Sequence, residues 1–414
     1  MPGRVLTPTD CHGIVNGMVA QMAVGGIAAV NSSNFVSVGE TLLRAGTENV
    51  LNALSLVLGK TLVATRPYKA KLNLINGVDS GAYANRIRKI SYFSRYAEPS
   101  GMFNTNLYTN LAMGYDNGSN SGNSVASMWE QNQPVPLEMN FGGSSVWDYH
   151  TTIYEEQLKE AFRSEESFGR FVSGYLTEAA NDVEQEKEAF NRVALLNYLG
   201  GLYDLSMYVD LVAAFNTEGN TTYTRAQVLA PPVLKDFMEF YVRTIKKYSD
   251  FLEQRTALYH AAITKTVNGV TYNLLRHTPK EKQRMLMLKD FWRKAETQVL
   301  SEIFNDDYLK LKNFEGVDFW QAIDEPSKIN ITPAIIDLND LTTQTAGSQV
   351  QLDYVVGALF DEDALMTNFQ LESVYTTPVE ARKGYRNVFT HIKRNLINDF
   401  SENGILFFLG AGGP

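Results

Sequence analysis

The residues that could bind a phosphate group are the first candidates for chemistry in this chain of 414 residues. Gly59-Lys60-Thr61 resembles the end of a phosphate-binding loop, whose backbone amides curl around a phosphate. That motif also requires a glycine five positions before its second glycine, and Leu54 stands there, within a helix-like stretch. The pattern therefore favours a helix that ends at Gly59 and is followed by a strand.

The histidines and one serine-containing loop do not have catalytic spacing. No two histidines are placed to share a helix face as metal ligands, and no Glu-x-x-His motif occurs. The segment Gly118-Ser119-Asn120-Ser121-Gly122 comes close to a nucleophile elbow, but an asparagine occupies the place of the nucleophile. We interpret all five histidines as structural or surface residues: His12, His150, His260, His277 and His391.

A group of acids is the remaining candidate for a metal site. Asp361-Glu362-Asp363 could hold a divalent cation together with Asp337 and Asp340. Because Asp361 directly follows an apolar strand-like stretch, a solvated turn or a helix cap is favoured instead. The sequence predicts no catalytic residue, no cofactor and no metal, and it indicates a protein that is not an enzyme.

Composition and charge exclude further classes. The formal net charge is −9 and the sequence pI is about 5.2, whereas a protein that grips nucleic acid needs a basic surface. Cys11 is the only cysteine, which excludes an intrachain disulfide and a cysteine-based zinc site. The apolar stretch 14–30 contains Gln21 and three glycines, so we expect a packing arm there and no membrane span.

The first 150 residues are predicted to form an arm, a helix, strands and a long loop. Residues 1–40 are rich in small residues and are expected to form an extended arm that becomes ordered on contact. Residues 39–58 have the apolar period of a helix. Residues 61–98 are strand-like, with a turn at Asn76-Gly77. Residues 100–146 are rich in Asn, Gly and Ser, which predicts a projecting hairpin or loop.

One long amphipathic helix is predicted in the middle of the chain. It runs from about Glu165 to Leu199, roughly 50 Å at 1.5 Å per residue. Gly200-Gly201 is predicted to end it. Its apolar face consists of Phe168, Phe171, Val172, Tyr175, Leu176, Ala179, Val183, Phe190, Val193 and Ala194.

Helices and strands are mixed in the remainder, which predicts the α+β class. Asn268-Gly269 between two apolar runs is typical of a tight hairpin. The other predicted elements are helices at Pro232–Leu252 and Phe291–Phe304, and strands at Met285–Leu288, Leu352–Phe360, Asn387–Arg394 and Ile405–Leu409.

Three groups of stretches resemble one known family. The first is Glu166–Val172 with Ala189–Arg192 and Leu196–Tyr198, and it resembles the spine-helix region of capsid proteins from short-tailed phages. The second is Arg284–Leu288 with Val317–Phe319, which resembles the strand-helix-strand of their A-domain, and the third is Tyr385–Phe408, which resembles their closing P-domain segment. With these stretches and the order of its elements, the chain resembles the Hong Kong 97 fold of tailed-bacteriophage major capsid proteins.

The resemblance implies both fold and function. It implies an α+β, Hong Kong 97-like capsid protein that self-assembles into the icosahedral shell around a double-stranded DNA phage genome. The implied segments are an N-terminal arm and first helix at 1–60, an E-loop at 61–150, a P-domain with spine helix at 151–205, an A-domain at 206–365, and a P-domain return with the C-terminus at 366–414.

The resemblance also implies partners and a location. The protein would bind copies of itself in hexamers and pentamers, and it would meet portal and decoration proteins. A separate scaffolding protein is implied, if one is used, because no long charged N-terminal extension is present. DNA would be enclosed without sequence-specific binding, and no membrane would be involved. The protein would be made in the host bacterial cytoplasm and found in the virion capsid.

Two other classes remain open from the sequence. The first is another phage structural component, a tail or portal protein, and a shell of many copies in electron micrographs would exclude it. The second is an intracellular enzyme whose carboxylate site is assembled by the fold. A small monodisperse oligomer with a metal in a pocket would support that reading.

Opposite charge sets predict a contact between subunits. Residues 66–95 have a formal charge of +6 and residues 154–190 a formal charge of −6. In the family that the chain resembles, the E-loop of one subunit lies over the P-domain of the next. Exposed pairs are each worth only about 0–1 kcal/mol, so they would set register more than strength. The candidate contact residues are Arg86, Arg88, Lys89, Arg95, Glu178, Asp182, Glu184, Glu186 and Glu188.

Overall fold

A computed structural model describes most of the chain from residue 134 onward and parts of the N-terminal region. The described residues are 8–21, 31, 34–44, 50, 53, 76–79, 87–94, 134–143, 145–267, 270–298, 314–338 and 343–412. The predicted loop up to residue 133, the stretch at Gly59-Lys60-Thr61 and the segment at Gly118–Gly122 lie outside them, as do Arg86 and Arg95.

Helices and strands alternate irregularly along the described residues, as the α+β class requires. The helices are α1 Pro8–Gln21, α2 Phe35–Arg44, α3 Glu155–Ala161, α4 Glu165–Asp204, α5 Leu211–Gly219, α6 Arg225–Val228, α7 Val233–Glu253 and α8 Lys289–Gln298. The strands are β1 Asn76–Asp79, β2 Ile87–Tyr92, β3 Pro136–Phe141, β4 Ser145–Tyr154, β5 Tyr208–Asp210, β6 Thr264–Val267, β7 Val270–Asn273, β8 Gln283–Leu288, β9 Phe314–Val317, β10 Ile329–Ile331, β11 Ala334–Ile336, β12 Gln344–Ala346, β13 Val350–Leu352, β14 Val355–Asp361, β15 Leu365–Thr376, β16 Tyr385–Asn398 and β17 Gly404–Phe408.

A five-stranded sheet forms the centre of the main core, in the order β5-β17-β14-β8-β9. Strands β8, β14 and β17 consist mainly of buried apolar residues, because both of their faces are covered by other elements. Trp320 is fully buried beside this sheet, and its Nε1 donates a hydrogen bond to the carbonyl oxygen of Val355 at 2.9 Å. The predicted strands at Met285–Leu288 and Ile405–Leu409 are confirmed.

A four-stranded sheet has the order β1-β15-β16-β4, and helix α4 packs against one of its faces. Strand β1 pairs in parallel with β15, so Asn76-Gly77 lies in a strand and the predicted turn there is wrong. The C-terminal strand β17 pairs with β14 and β5 in the five-stranded sheet. Long-range pairing, which local pattern does not encode, places Asn76-Gly77 in a strand.

Helix α4 begins where the sequence predicts and continues past its predicted end. The side chain of Ser164 caps it by accepting a hydrogen bond from the amide of Ser167 at 3.1 Å. The helix continues through Gly200 and Gly201 to Asp204. A Cβ on Gly201 would lie 2.2 Å from Phe400, so the glycine allows close packing and does not end the helix.

The N-terminal region contains a helix where an extended arm was predicted. In α1, Cys11, Ile14, Val15 and Met18 are buried at helical spacing. They pack with Phe35 of α2 and with the first turns of α4 in a second core that is separate from the main one. The predicted helix at 39–58 is described from Phe35 to Arg44 and at the single positions 50 and 53, both helical.

The remaining local predictions are largely confirmed. Strands β6 and β7 form the predicted hairpin around Asn268-Gly269, α7 matches the predicted helix within one residue, and β16 covers the strand predicted at Asn387–Arg394. The strand predicted at Leu352–Phe360 is instead two strands in two sheets, β13 and β14. The described part of the helix predicted at Phe291–Phe304 ends at Gln298.

Candidate assembly surfaces

The hairpin of β2 and β3 presents one side to the core and the other to solvent. Leu137 and Met139 of β3 are buried in the main core, while Glu138 between them is exposed, because side chains alternate along a strand. On β2, Ile90 and Tyr92 are 51% and 61% exposed. Large apolar side chains exposed in this way mark a candidate contact surface.

The inner side of the hairpin carries a lysine that is bound within its own chain. Lys89 Nζ contacts the carboxylates of Asp399 and Glu402, which lie in the turn before β17. The guanidinium of Arg276 lies 3.4 Å from Glu402 and donates a hydrogen bond to Ser91 Oγ at 2.7 Å. We refer to these four charged residues, Lys89, Arg276, Asp399 and Glu402, as the Lys89 cluster.

The Lys89 cluster is largely shielded from water. The side chains of Asp399 and Glu402 are 1% and 11% exposed, and those of Lys89 and Arg276 are 22% and 20% exposed. Burial lowers the pKa of Lys89, but the two carboxylates offset this, and the pKa is raised above its ordinary value. Lys89 is therefore charged at neutral pH.

The other predicted basic residues have different surroundings. Arg88 lies on the outer side of the hairpin, is exposed, and forms an ion pair with Glu138 at 2.7 Å across the two strands. Arg86 and Arg95 lie outside the described residues. Of the four predicted basic residues, Arg88 is thus the one that the structure places on a solvent-exposed surface.

The predicted acids lie on α4 and differ in accessibility. Asp182 is exposed. Glu184 is only 7% exposed and lies 3.8 Å from Lys187, and Glu188 pairs with Arg192 at 3.0 Å. Burial raises the pKa of Glu186, and the charge of Arg394 opposes that shift. For Glu178, the structure describes the helix backbone and not the side chain.

The four-stranded sheet has an open face that the sequence analysis missed. The rings of Phe389 and His150 lie 5.7 Å apart on adjacent strands, and those of Tyr375 and His391 lie 5.5 Å apart. Tyr375 is 62% exposed. The sequence carried a signal, because Tyr385, Phe389 and His391 stand at odd positions of one strand and therefore share a face, while Val388 and Ile392 share the other.

Asp361 is the buried member of the acid group predicted as a turn or a metal site, and Asp340 of that group lies outside the described residues. Asp361 is 5% exposed and accepts hydrogen bonds from Thr278 Oγ1 at 2.8 Å and from the amide of Asp363 at 2.9 Å. Burial raises the pKa of Asp361. The prediction of a turn is confirmed, but the turn is not solvated at Asp361. Within the described ranges, no three His, Cys, Asp or Glu side chains are grouped so that they could hold a metal ion.

A family comparison identifies the chain. The exposed side of the β2–β3 hairpin and the open face of the four-stranded sheet are surfaces through which an α+β structural protein can contact further copies of itself. The model of the Phi29-like phage major capsid protein family matches residues 112–408, and the chain belongs to this family. The described part of the chain contains no helix with both the length and the apolar character of a membrane span.

Comparison with solved structures supports the fold. A chain from the structure of the head fiber and inner core protein gp22 of native bacteriophage P68 has a TM-score of 0.50 at 9% identity, over 82% of this chain and 84% of that one. A chain of the capsid of Staphylococcus phage Andhra has a TM-score of 0.49 at 10% identity, over 83% and 84%. No curated protein matches the sequence.

These findings confirm three predictions. The chain is a major capsid protein of a phage, it has an α+β capsid fold, and its family indicates a structural role. Self-assembly into an oligomeric shell and a location in the virion capsid follow from membership of the family.

Proposed function

We propose that this chain builds an icosahedral shell, from hexamers and pentamers of one subunit, around a double-stranded DNA phage genome. The family match over residues 112–408 is the observation that carries the proposal. An acidic subunit with a net charge of −9 is suited to enclosing DNA without adhering to it. The role is structural and involves no catalysis, cofactor or membrane.

Further partners and segments belong to the same proposal. A separate scaffolding protein, a portal and decoration proteins would act with the shell, and synthesis would take place in the host bacterial cytoplasm. The five segments would serve as N-terminal arm with first helix (1–60), E-loop (61–150), P-domain with spine helix α4 (151–205), A-domain (206–365), and P-domain return with the C-terminus (366–414).

Expression of the chain in bacteria tests the shell directly. We expect purified particles to be closed shells of many copies in negative-stain micrographs, and to contain no small oligomer as the main species. The control is the same preparation in denaturant, which should yield single subunits. A monodisperse ring or a small oligomer at every protein concentration and salt concentration would contradict the proposal.

The contact between subunits is a second part of the proposal. The outer side of the β2–β3 hairpin of one subunit would lie against α4 of its neighbour, with Arg88, Arg86 and Arg95 meeting the acids around Asp182. Lys89, Glu184 and Glu188 form ion pairs inside the chain and would support the surface from within. Exposed pairs of this kind set register and approach more than affinity.

Charge reversal at Arg88 tests this contact. We expect Arg88→Glu to slow assembly at low salt, as followed by light scattering. Salt at 1 M should partly restore the rate, because the Debye length falls to about 3 Å. The additional change Asp182→Lys should restore assembly at low salt.

Arg243→Glu is the matched control for this test, because Arg243 is also exposed and also pairs within its own chain, with Glu218. It should assemble as the wild type does. A wild-type rate for Arg88→Glu at low salt would contradict the proposed contact.

A further inference from the structure

The β2–β3 hairpin has little backbone bonding to the rest of the fold. It forms a two-stranded sheet of its own, outside the four- and five-stranded sheets. At its end, the amide of Ser94 donates a hydrogen bond to the carbonyl oxygen of Asn273 at 3.3 Å. Side chains therefore determine how the hairpin is seated on the core, through Leu137 and Met139 and through the Lys89 cluster.

Apolar contacts alone do not fix the rotation of a hairpin relative to the core on which it packs, because they have no preferred direction. Ion pairs with hydrogen-bond geometry do have a preferred direction. In the Lys89 cluster, Lys89 of β2 reaches Asp399 and Glu402, and Arg276 joins Glu402 to Ser91 of the same strand. Two contacts on one strand, at residues 89 and 91, fix both its position and its rotation.

The platform that receives these contacts is rigid. The turn at 399–403 leads directly into β17, a buried strand of the five-stranded sheet. Asp399 Oδ1 accepts a hydrogen bond from the amide of Ser401 at 2.9 Å, and Arg276 Nε donates one to the carbonyl oxygen of Ser401 at 3.2 Å. The Asp399 carboxylate and the backbone of the turn are thus held by hydrogen bonds that do not involve Lys89.

The charges of the cluster also balance. Two shielded carboxylates face two shielded cations, so removing Lys89 leaves Asp399 and Glu402 with Arg276 as the remaining cation of the cluster. Unpaired buried charge is unfavourable, and the turn or the hairpin would shift to admit water. Such a shift would move Arg88, Ile90 and Tyr92, which lie on the exposed side of the same strand.

We propose that Lys89 is a positioning residue for shell assembly: it seats the β2–β3 hairpin on the core, and so sets the direction in which the subunit presents its outer contact surface to its neighbour. The inference rests on the proposed function, because it concerns how that shell closes. A closed shell requires its copies to present their contacts within a narrow range of angles, and an error in angle repeats at each contact. Lys89 acts from inside the subunit and does not itself contact the neighbour.

The test compares assembly products of Lys89→Met, Lys89→Arg and the wild type, in electron micrographs and by sedimentation. We expect Lys89→Met to lose most closed shells, with open or misshapen particles and a wider spread of diameters in their place. Its unassembled subunit should keep the circular dichroism spectrum of the wild type. Lys89→Arg retains the charge and should restore closed shells of wild-type diameter.

Lys265→Met is the matched control. Lys265 is exposed on strand β6, and its Nζ donates a hydrogen bond to the carbonyl oxygen of Pro136 in the β2–β3 hairpin at 3.3 Å. It has no part in the Lys89 cluster. It should form wild-type shells. If Lys89→Met fails to fold, Asp399→Asn is the deciding variant, because it removes one charge of the cluster and retains the shape of the side chain. We expect Asp399→Asn to fold and to give misshapen shells.

The outcomes separate the two proposals. Shells of wild-type yield and diameter from Lys89→Met, or from Asp399→Asn where Lys89→Met does not fold, would overturn the positioning role and leave the shell-building function intact. Misshapen shells from Lys89→Arg as well would also overturn it, since the charge would then not be the cause. Absence of shells from the wild type would overturn the proposed function and this inference with it.

Discussion

Gly357→Ala is expected to destabilise the subunit by about 3 kcal/mol or more, at the upper end of the range for overpacked cores. A Cβ on Gly357 would lie 2.4 Å from the backbone carbonyl oxygen of Leu286. That oxygen belongs to β8, which pairs with β14 at the centre of the five-stranded sheet, and neither strand can move without losing its neighbours. Domains are typically stable by only about 5–15 kcal/mol, so a large share of the stability would be lost.

The same substitution at Gly174 is the control for this prediction. Gly174 lies in helix α4, and no described atom is within 4 Å of a Cβ built there. Alanine is favoured over glycine inside a helix by about 1 kcal/mol, so Gly174→Ala should stabilise the unassembled subunit. Urea titration followed by circular dichroism measures both changes. Equal effects of the two variants, or a neutral effect of Gly357→Ala, would contradict the proposed close packing.

The buried strands could be predicted from the sequence because their composition carries the signal. Strand β8 is a run of Met and Leu that is too short for a helix, and β17 is a run of apolar and aromatic residues. The hairpin of β6 and β7 was predictable for a similar reason, since Asn268-Gly269 specifies its turn. In these cases, local pattern and tertiary environment agree.

The ends of elements could not be predicted where packing outweighs propensity. Gly200-Gly201 is typical of a helix end, but α4 continues through both residues. The glycines serve close packing instead, because Ile331 and Phe400 occupy the space where side chains at these two positions would lie. Gly174 shows the opposite case, since the described residues leave open the space that a side chain would occupy there. A glycine in the sequence does not by itself reveal whether it ends a helix or allows another element to pack closely.

The candidate contact surface was predictable in charge and not in detail. Of the candidate residues that the structure describes, Arg88 and Lys89 lie on β2 and the acids lie on α4. Which side chain faces solvent depends on partners far along the chain: Lys89 pairs with Asp399 and Glu402, more than 300 residues away in sequence. No spacing rule links such positions, so sequence reasoning grouped Lys89 with Arg88, which lies on the opposite side of the same strand.

The two separate cores have a consequence for stability that the sequence alone did not suggest. Helices α1 and α2 belong to the second core, together with the first turns of α4, while the five-stranded sheet belongs to the main core. Elements with few contacts to the main core can open locally without global unfolding. Helix α4 contributes to both cores, through Phe168 in the second and Leu199 in the main one, and it remains anchored by the main core when the second opens.

Phe35→Ala is therefore expected to release α1 and α2 while the rest of the subunit stays folded. Phe35 is 1% exposed, and its ring lies 5.6 Å from that of Phe168 and 6.2 Å from that of Phe162. Truncating a buried aromatic residue removes about 3–5 kcal/mol, which is large for a core of this size. Hydrogen exchange of the unassembled subunit should show lost protection in α1 and α2 and unchanged protection in β8, β14 and β17.

Val36→Ala is the matched control, since Val36 is the next residue of α2 but is 44% exposed. It should leave hydrogen exchange at wild-type levels throughout. If Phe35→Ala lowered protection equally in α1 and in β14, the two cores would unfold as one cooperative unit, and their separation would have no energetic meaning. If it changed neither, Phe35 would not hold the N-terminal helices. Loss confined to α1, α2, α3 and the first turns of α4 is the result that two independent cores require, because Phe162 at the end of α3 also belongs to the second core, whereas β14 shares no buried side chain with that core.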